Sequence, residues 1–189
     1  FRVVVDAVNC TGSLILPDLL ENLECEVIRL NCDGTGKFTR GAEPLPEHLT
    51  DLCKSVIEND ADLGFASDPD GDRLAVVDDK GHPLGEEFTL PYCMDGYFKE
   101  SGSSSPAVVN LSSSMLNDWV CSKHQVKLVR SSISEIKVVE KMKELGSSIG
   151  GEGNGGIILA ESHFGRDSIV AAALFLNRLS MEKIPLSEG

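Results

Sequence analysis

The 189-residue sequence is 41% hydrophobic and 25% charged, enough for one large domain or two small ones with their own cores. A formal charge of −13 argues against nucleic acid or an anionic membrane as partner, since either would be met by a basic face, but a metal ion and a few local cations can still hold a phosphate. No run approaches the roughly 18 consecutive apolar residues of a membrane span, and the opening Phe1-Arg2-Val3-Val4-Val5-Asp6 carries charge where a secretory leader stays apolar.

That opening reads as a strand, and because the chain begins inside it without Met, the natural start is expected upstream. Periodicity then predicts a strand at 3–6, a helix over 14–23, a strand at 26–30, a helix over 46–59 and a strand at 61–66. The order β-α-β-α-β returns after the Ser/Gly stretch 101–105, with strands at 107–111, 126–130 and 147–150 and helices over 114–124 and 135–145. In both copies the first strand ends in Asn and small polar residues, Asn9-Cys10-Thr11-Gly12-Ser13 and Asn110-Leu111-Ser112-Ser113-Ser114. The third strand runs into a distinctive loop followed by another strand, at 74–78 and 157–160. We expect an α/β protein of two similar domains, 1–82 and 83–189, with the boundary near 80–85. Their sheets should be mixed but mainly parallel, with helices on both faces. Ligands gather at the carboxyl ends of such strands, where both loops fall, so two domains facing one cleft would bring the loops together.

In the first loop Asp68, Asp70 and Asp72 alternate with Pro69 and Gly71, so a tight turn can aim three hard oxygen donors at one Mg²⁺ or Ca²⁺. Three adjacent carboxylates repel unless a cation or a proton joins them. A calcium-binding EF-hand starts with the same spacing but needs Gly at its sixth position and Glu at its twelfth, where this chain has Arg73 and Asp79. Arg73 beside a divalent ion suits a transferring phosphoryl group.

The second loop, Gly151-Glu152-Gly153-Asn154-Gly155-Gly156, satisfies the dinucleotide pattern G-x-G-x-x-G only formally, because a strand follows it where that fold requires a helix. Its glycines let backbone approach a ligand, while the carboxylate of Glu152 and the amide of Asn154 suit vicinal sugar hydroxyls.

Together these loops resemble the α-D-phosphohexomutases, the phosphoglucomutase, phosphomannomutase and phosphoglucosamine mutase family, over nearly the whole chain. Asp68-Pro69-Asp70-Gly71-Asp72-Arg73 is similar to that family's magnesium loop and the glycine loop to its sugar-recognition loop. Gly165-Arg166-Asp167 opening a helix, and Gly36-Lys37-Phe38 with Glu43-Pro44, are further likenesses. The resemblance implies the second and third of four domains. A phosphoserine domain would precede them and a phosphate-gripping domain would follow; no Ser-His-Asn-Pro-like stretch occurs here.

It further implies a hexose phosphate as substrate and transfer through a phosphoserine and a hexose bisphosphate. Asp68, Asp70 and Asp72 would hold Mg²⁺, Arg73 would steady the transferring charge, and Glu152 and Asn154 would hold ring hydroxyls in either orientation. Ser112 and Glu135 match substrate contacts, though Ser112 also suits a helix cap. Three positions depart from the family: Asn154 where Ser is common, Cys10 where Gly is usual after Asn9, and Ser134 where Gly often precedes the substrate-facing residue. A non-catalytic module that binds a divalent cation and a sugar phosphate is the competing reading.

The remaining reactive residues carry less. Cys10, Cys25, Cys32, Cys53, Cys93 and Cys121 form no C-x-x-C pair and are expected as free thiols of a reducing cytoplasm. His48, His82, His124 and His163 lack ligand spacing and read as surface or turn residues, and Trp119 reads as core.

Overall fold

Residues Arg2–Asp6 form β1, whose three valines have no exposed surface, and a strand apolar on both faces needs helices on both. The computed structural model, which describes residues 1–182 and 184–188, supplies them. After β1 come α1 (Gly12–Asn22), β2 (Glu26–Leu30), α2 (Thr50–Glu58), β3 (Leu63–Ser67) and β4 (Leu74–Asp78), in the sheet order β2-β1-β3-β4 with only β4 antiparallel. Val4, Ala66, Ala75 and Val77 share the face that packs on Leu52 and Val56 of α2. That helix lies close because β3 has Gly64 beneath it: a Cβ there would stand 2.8 Å from Val56 and 2.9 Å from Leu52. The single helix predicted over 46–59 is interrupted. Pro46 opens a separate 3₁₀ turn (Pro46–His48), the His48 ring bonds to the Glu43 carbonyl at 2.7 Å, and α2 starts after buried Leu49.

The second half begins with α3 (Glu86–Ser101), which the sequence reading did not predict. Residues Thr89–Leu90–Pro91 and Cys93–Phe98 are all buried, so the helix shows no apolar stripe, and Pro91 inside it reads locally as a breaker. Then follow β5 (Ala107–Asn110), α4 (Leu116–Lys123), β6 (Leu128–Ser131), α5 (Glu135–Leu145), β7 (Ile149–Glu152), β8 (Gly156–Leu159) and α6 (Ser168–Ser180). The sheet order β6-β5-β7-β8, again with only the last strand antiparallel, repeats the first sheet. So does the packing. α5 lies over Gly150 of β7, where a Cβ would meet the Val108 carbonyl at 2.4 Å and Met142 Sδ at 2.7 Å.

The chain divides into two units, Phe1–Glu86 with the described residues of Glu182–Gly189, and Glu87–Met181. Leu84 stays with the first unit through its amide, which donates to the Val76 carbonyl at 2.9 Å. Ser187 joins that unit too, donating from its amide and hydroxyl to the Asp79 carboxylate at 2.8 and 2.9 Å.

Ser134, just before α5, has φ 152° and ψ 137°, a region that glycine enters freely and side chains rarely do. This is one of the positions where the resemblance leads one to expect glycine. Ser134→Gly should therefore raise the unfolding free energy by about 1 kcal/mol, the lower end of the strain such conformations store. A urea midpoint that fell instead would show that the serine is not strained.

Candidate functional site

The acidic loop joins β3 to β4 at the carboxyl end of β3. Asp68 is buried, and its Oδ1 accepts from the amides of Asp72 at 3.0 Å and Arg73 at 3.1 Å, which curls the loop over its own first residue. Gly71 makes the turn at φ 78°. As a result Asp68, Asp70 and Asp72 each place a carboxylate oxygen within 4.8 Å of the others, the one such group of possible metal ligands among the described residues.

Burial pushes the Asp68 carboxyl up to about 7. A hydrogen bond with Asp72 and the charges of Asp72 and Asp70 add to the rise, against the opposing pull of the Arg73 amide. Arg73 closes the loop: its Nε lies 3.6 Å from both Asp68 Oδ2 and Asp72 Oδ1, and its Nη1 is paired with Glu43.

Two side chains that the sequence reading passed over hold the floor of this loop. Asp6, at the end of β1, accepts from the Val8 amide at 2.9 Å, Asn31 Nδ2 at 3.1 Å and Arg40 Nε at 3.0 Å, and both members of its ion pair with Arg40 are buried. Arg40 Nη2 also donates to the Ser67 carbonyl at 2.7 Å, beside Asp68. The strand-ending Asn9 accepts from the Asp33 amide at 2.9 Å, and the Thr11 amide donates to the Pro69 carbonyl at 3.2 Å, so segment 31–37, the β1 turn and the acidic loop form one hydrogen-bonded assembly.

In the second unit Glu152 ends β7, only 6% exposed. Its Oε1 accepts from Asn110 Nδ2 at 2.8 Å and its Oε2 from Arg166 Nη1 at 2.8 Å. Asn110 is held in turn by the hydroxyls of Ser112 at 3.0 Å and Ser113 at 2.8 Å, both donating to its Oδ1. Ser112 thus joins the site through Asn110 and caps no helix; α4 starts after Met115 without a side-chain cap. Asn154 Oδ1 accepts from the Gly156 amide at 3.3 Å, shaping the loop from within. Glu135, at the start of α5, accepts from the Arg166 amide at 3.0 Å.

Glu135 and Glu152 are therefore brought together by Arg166, and Ser112 is linked to Glu152 by Asn110. Neither linker was singled out as a site residue in the sequence. The signals were a strand-ending Asn repeated in both halves and an Arg beside the start of a helix. That helix is α6, capped by Asp167, whose Oδ1 accepts from the amides of Ile169 and Val170 at 2.7 and 3.1 Å.

Among the residues given minor roles, Trp119 is a correction. It is 61% exposed, with Lys123 Nζ 5.2 Å from its ring centroid, because α4 turns it away from the core. His124 lies in the turn that ends α4, with its side chain largely buried and its Nε2 2.7 Å from Asp95. The six cysteines are free thiols, and burial pushes those of Cys93 and Cys121 upward, the latter to about 12. Among the described residues no helix is long and apolar enough to cross a membrane.

Comparison with known proteins matches both halves to one family. Residues 1–81 fit phosphoglucomutase/phosphomannomutase alpha/beta/alpha domain II, and residues 89–189 fit domain III. A probable phosphoglucosamine mutase of Methanopyrus kandleri is 36% identical over 99% of the chain and 41% of its own length. A phosphoglucomutase/phosphomannomutase of Thermococcus kodakarensis is 34% identical over 90% of the chain and 38% of its own. The chain thus spans about two fifths of the curated relatives it matches.

A crystal structure of a phosphoglucomutase/phosphomannomutase family protein from Burkholderia thailandensis shares the fold, with TM-score 0.86 and 22% identity over 100% of this chain and 42% of that one. An Aspergillus fumigatus N-acetylphosphoglucosamine mutase, solved with GlcNAc-6P and magnesium, superposes with TM-score 0.68 at 14% identity over 99% of this chain and 44% of that one. With both halves matched in order, the chain belongs to the phosphoglucomutase/phosphomannomutase family and carries its α/β/α domains II and III.

Proposed function

We propose that this chain supplies the magnesium site and the sugar-hydroxyl contacts of a phosphohexose mutase, which moves a phosphoryl group between the 6- and 1-positions of a hexose by way of a phosphoserine and a hexose bisphosphate. The observation that carries the reading is the convergence of Asp68, Asp70 and Asp72 within 4.8 Å, with the Arg73 guanidinium 3.6 Å from two of them. The donor set fits the ion. Three carboxylate oxygens are the hard donors that Mg²⁺ takes, and Asp68, Asp70 and Asp72 would hold it from one side of the loop. The names of the relatives and the magnesium and GlcNAc-6P in the Aspergillus protein support both ion and substrate class.

Bound Mg²⁺ would neutralise charge on a phosphate oxygen. Arg73, held by Asp68, Asp72 and Glu43, keeps a cation beside the loop where phosphoryl charge is to be stabilised, without reorganising for it. Glu152 accepts one bond at each oxygen from the protein, and each oxygen has a further lone-pair direction with which to accept a vicinal hydroxyl. Asn154 engages its Oδ1 in the loop and can donate from Nδ2 to a sugar oxygen. A phosphoserine domain and a phosphate-gripping domain of the same protein complete the site in this reading, and the cytoplasm, where hexose phosphates are handled, is its setting.

Calorimetric titration of the chain with Mg²⁺ tests the metal half. Asp70 is exposed, so Asp70→Ala should leave the fold intact and remove the binding, while Asp51→Ala, on the open face of α2, should change nothing. Equal heats from all three proteins would reduce the acidic loop to a turn.

A further inference from the structure

The geometry points to Arg166 as the positioning residue of the sugar site, a single shielded guanidinium that fixes the carboxylates of Glu152 and Glu135 at one spacing for the hydroxyls of a hexose phosphate. The inference rests on the reading of Glu152 as a sugar ligand and goes beyond it by assigning the residue that sets the ligand's position.

Arg166 is tied down at both its backbone and its side chain. Its amide donates to Glu135 Oε1 at 3.0 Å, and the next amide, of Asp167, donates to the Ile157 carbonyl of β8 at 2.9 Å. The stem of the side chain lies across Gly156, where a Cβ would stand 2.3 Å from Arg166 Cδ and 3.0 Å from Cγ, so the last residue of the glycine loop must lack a side chain for the arginine to pass. From there Nη1 reaches Glu152 Oε2 at 2.8 Å while Nε lies 3.3 Å from Glu135 Oε2, with only 12% of the side chain exposed.

The planar fork thus spans a carboxylate on the end of β7 and another on the start of α5, two elements whose sequence positions are 17 residues apart (152 − 135). Without it two like charges would face each other, and Glu152 would keep only the neutral Asn110 donor. A lysine would supply a point charge but could not serve both carboxylates in fixed directions. Arg166 leaves one net negative charge on the trio, which favours hydroxyl donors over a second phosphate at this end of the sheet.

The test is a double-mutant cycle read by NMR titration of the chain with glucosamine 6-phosphate in magnesium buffer. Glu152→Gln and Arg166→Met should each weaken binding about tenfold, the worth of one hydrogen bond to a charged group. The double variant should lose clearly less than the product of the two single losses, because Arg166 acts in part through Glu152. Arg166→Lys should recover part of the loss.

Wild-type affinity in Arg166→Met, or losses that multiply in the double variant, would overturn the positioning role while leaving Glu152 as a ligand. If Arg166→Met does not fold, Arg166→Lys decides, and unchanged affinity there overturns the proposal. A wild-type chain that binds no sugar phosphate, or a Glu152→Gln variant that binds normally, would remove the underlying reading and this inference with it.

Discussion

Asp95→Ala is expected to cost the second unit about 3–5 kcal/mol, the range for stripping one partner from a buried ion pair, against a total stability of about 5–15 kcal/mol for a typical domain. Asp95 sits in α3 at 4% exposure and receives three cationic or ring donors: Lys123 Nζ and His124 Nε2 at 2.7 Å on Oδ1, and Arg178 Nε at 2.6 Å on Oδ2. Arg178, itself buried, stacks over the Tyr92 ring at 5.1 Å, and Gly96 lets the two helices close. A Cβ at Gly96 would stand 2.6 Å from Arg178 Cβ. Removing the carboxylate takes from the buried guanidinium the acceptor that its Nε meets at 2.6 Å, which is why the loss exceeds that of an exposed pair.

The same cluster gives the change a pH signature. Burial raises the Asp95 carboxyl, but the hydrogen bonds from Lys123, His124 and Arg178 outweigh it and hold the group at about 2. A carboxyl whose native value lies below the unfolded one stabilises fully above about pH 4 and loses that contribution as pH falls through about 2, here about 2 kcal/mol. Urea unfolding at neutral pH should therefore separate wild type from Asp95→Asn clearly, and the gap should shrink between about pH 4 and pH 2. A gap of constant size would mean that packing of the side chain, and not its charge, accounts for the cost.

α3 also marks where the sequence stopped being informative. Both copies of the β-α-β-α-β order, and both loops, were legible because parallel strands buried on two faces give short apolar runs, and because loops with special chemistry need Gly, Pro and Asp in recognisable spacing. α3 gave neither signal, since burial on nearly every side erases the 3.6-residue stripe. The exposure of Trp119 was hidden for a related reason: residue type predicts burial only on average, and α4 turns this ring outward. The acidic loop could be read as a unit because its ligands are two residues apart. The partners of Glu152 could not, since Asn110 lies 42 residues before it and Arg166 14 residues after it, a convergence made by sheet register and by the α6 cap.

Magnesium binding by the acidic loop should fall about tenfold for each pH unit below about 7 and level off above it. Asp68 is the cause. Burial first, then the hydrogen bond with Asp72 and the charges of Asp72 and Asp70, hold its carboxyl up to about 7 in the metal-free chain, so below that pH an incoming cation has to displace a proton. The sign for stability follows. A carboxyl raised above its unfolded value of about 3.9 destabilises the metal-free fold progressively as pH rises from about 4 and reaches its full cost above about 7. An ion that binds only the folded chain offsets this by mass action, so the thermal shift produced by a fixed Mg²⁺ concentration should grow over the same range. Asp68→Asn separates the two effects. It should raise the neutral-pH stability of the metal-free chain, because the buried charge is gone while the amide oxygen can still accept from the Asp72 and Arg73 amides, and it should leave weaker Mg²⁺ binding with little pH dependence. Calorimetry at several pH values on the two proteins decides it, and a wild-type affinity that stayed flat through pH 7 would show that the proton on Asp68 does not compete with the metal.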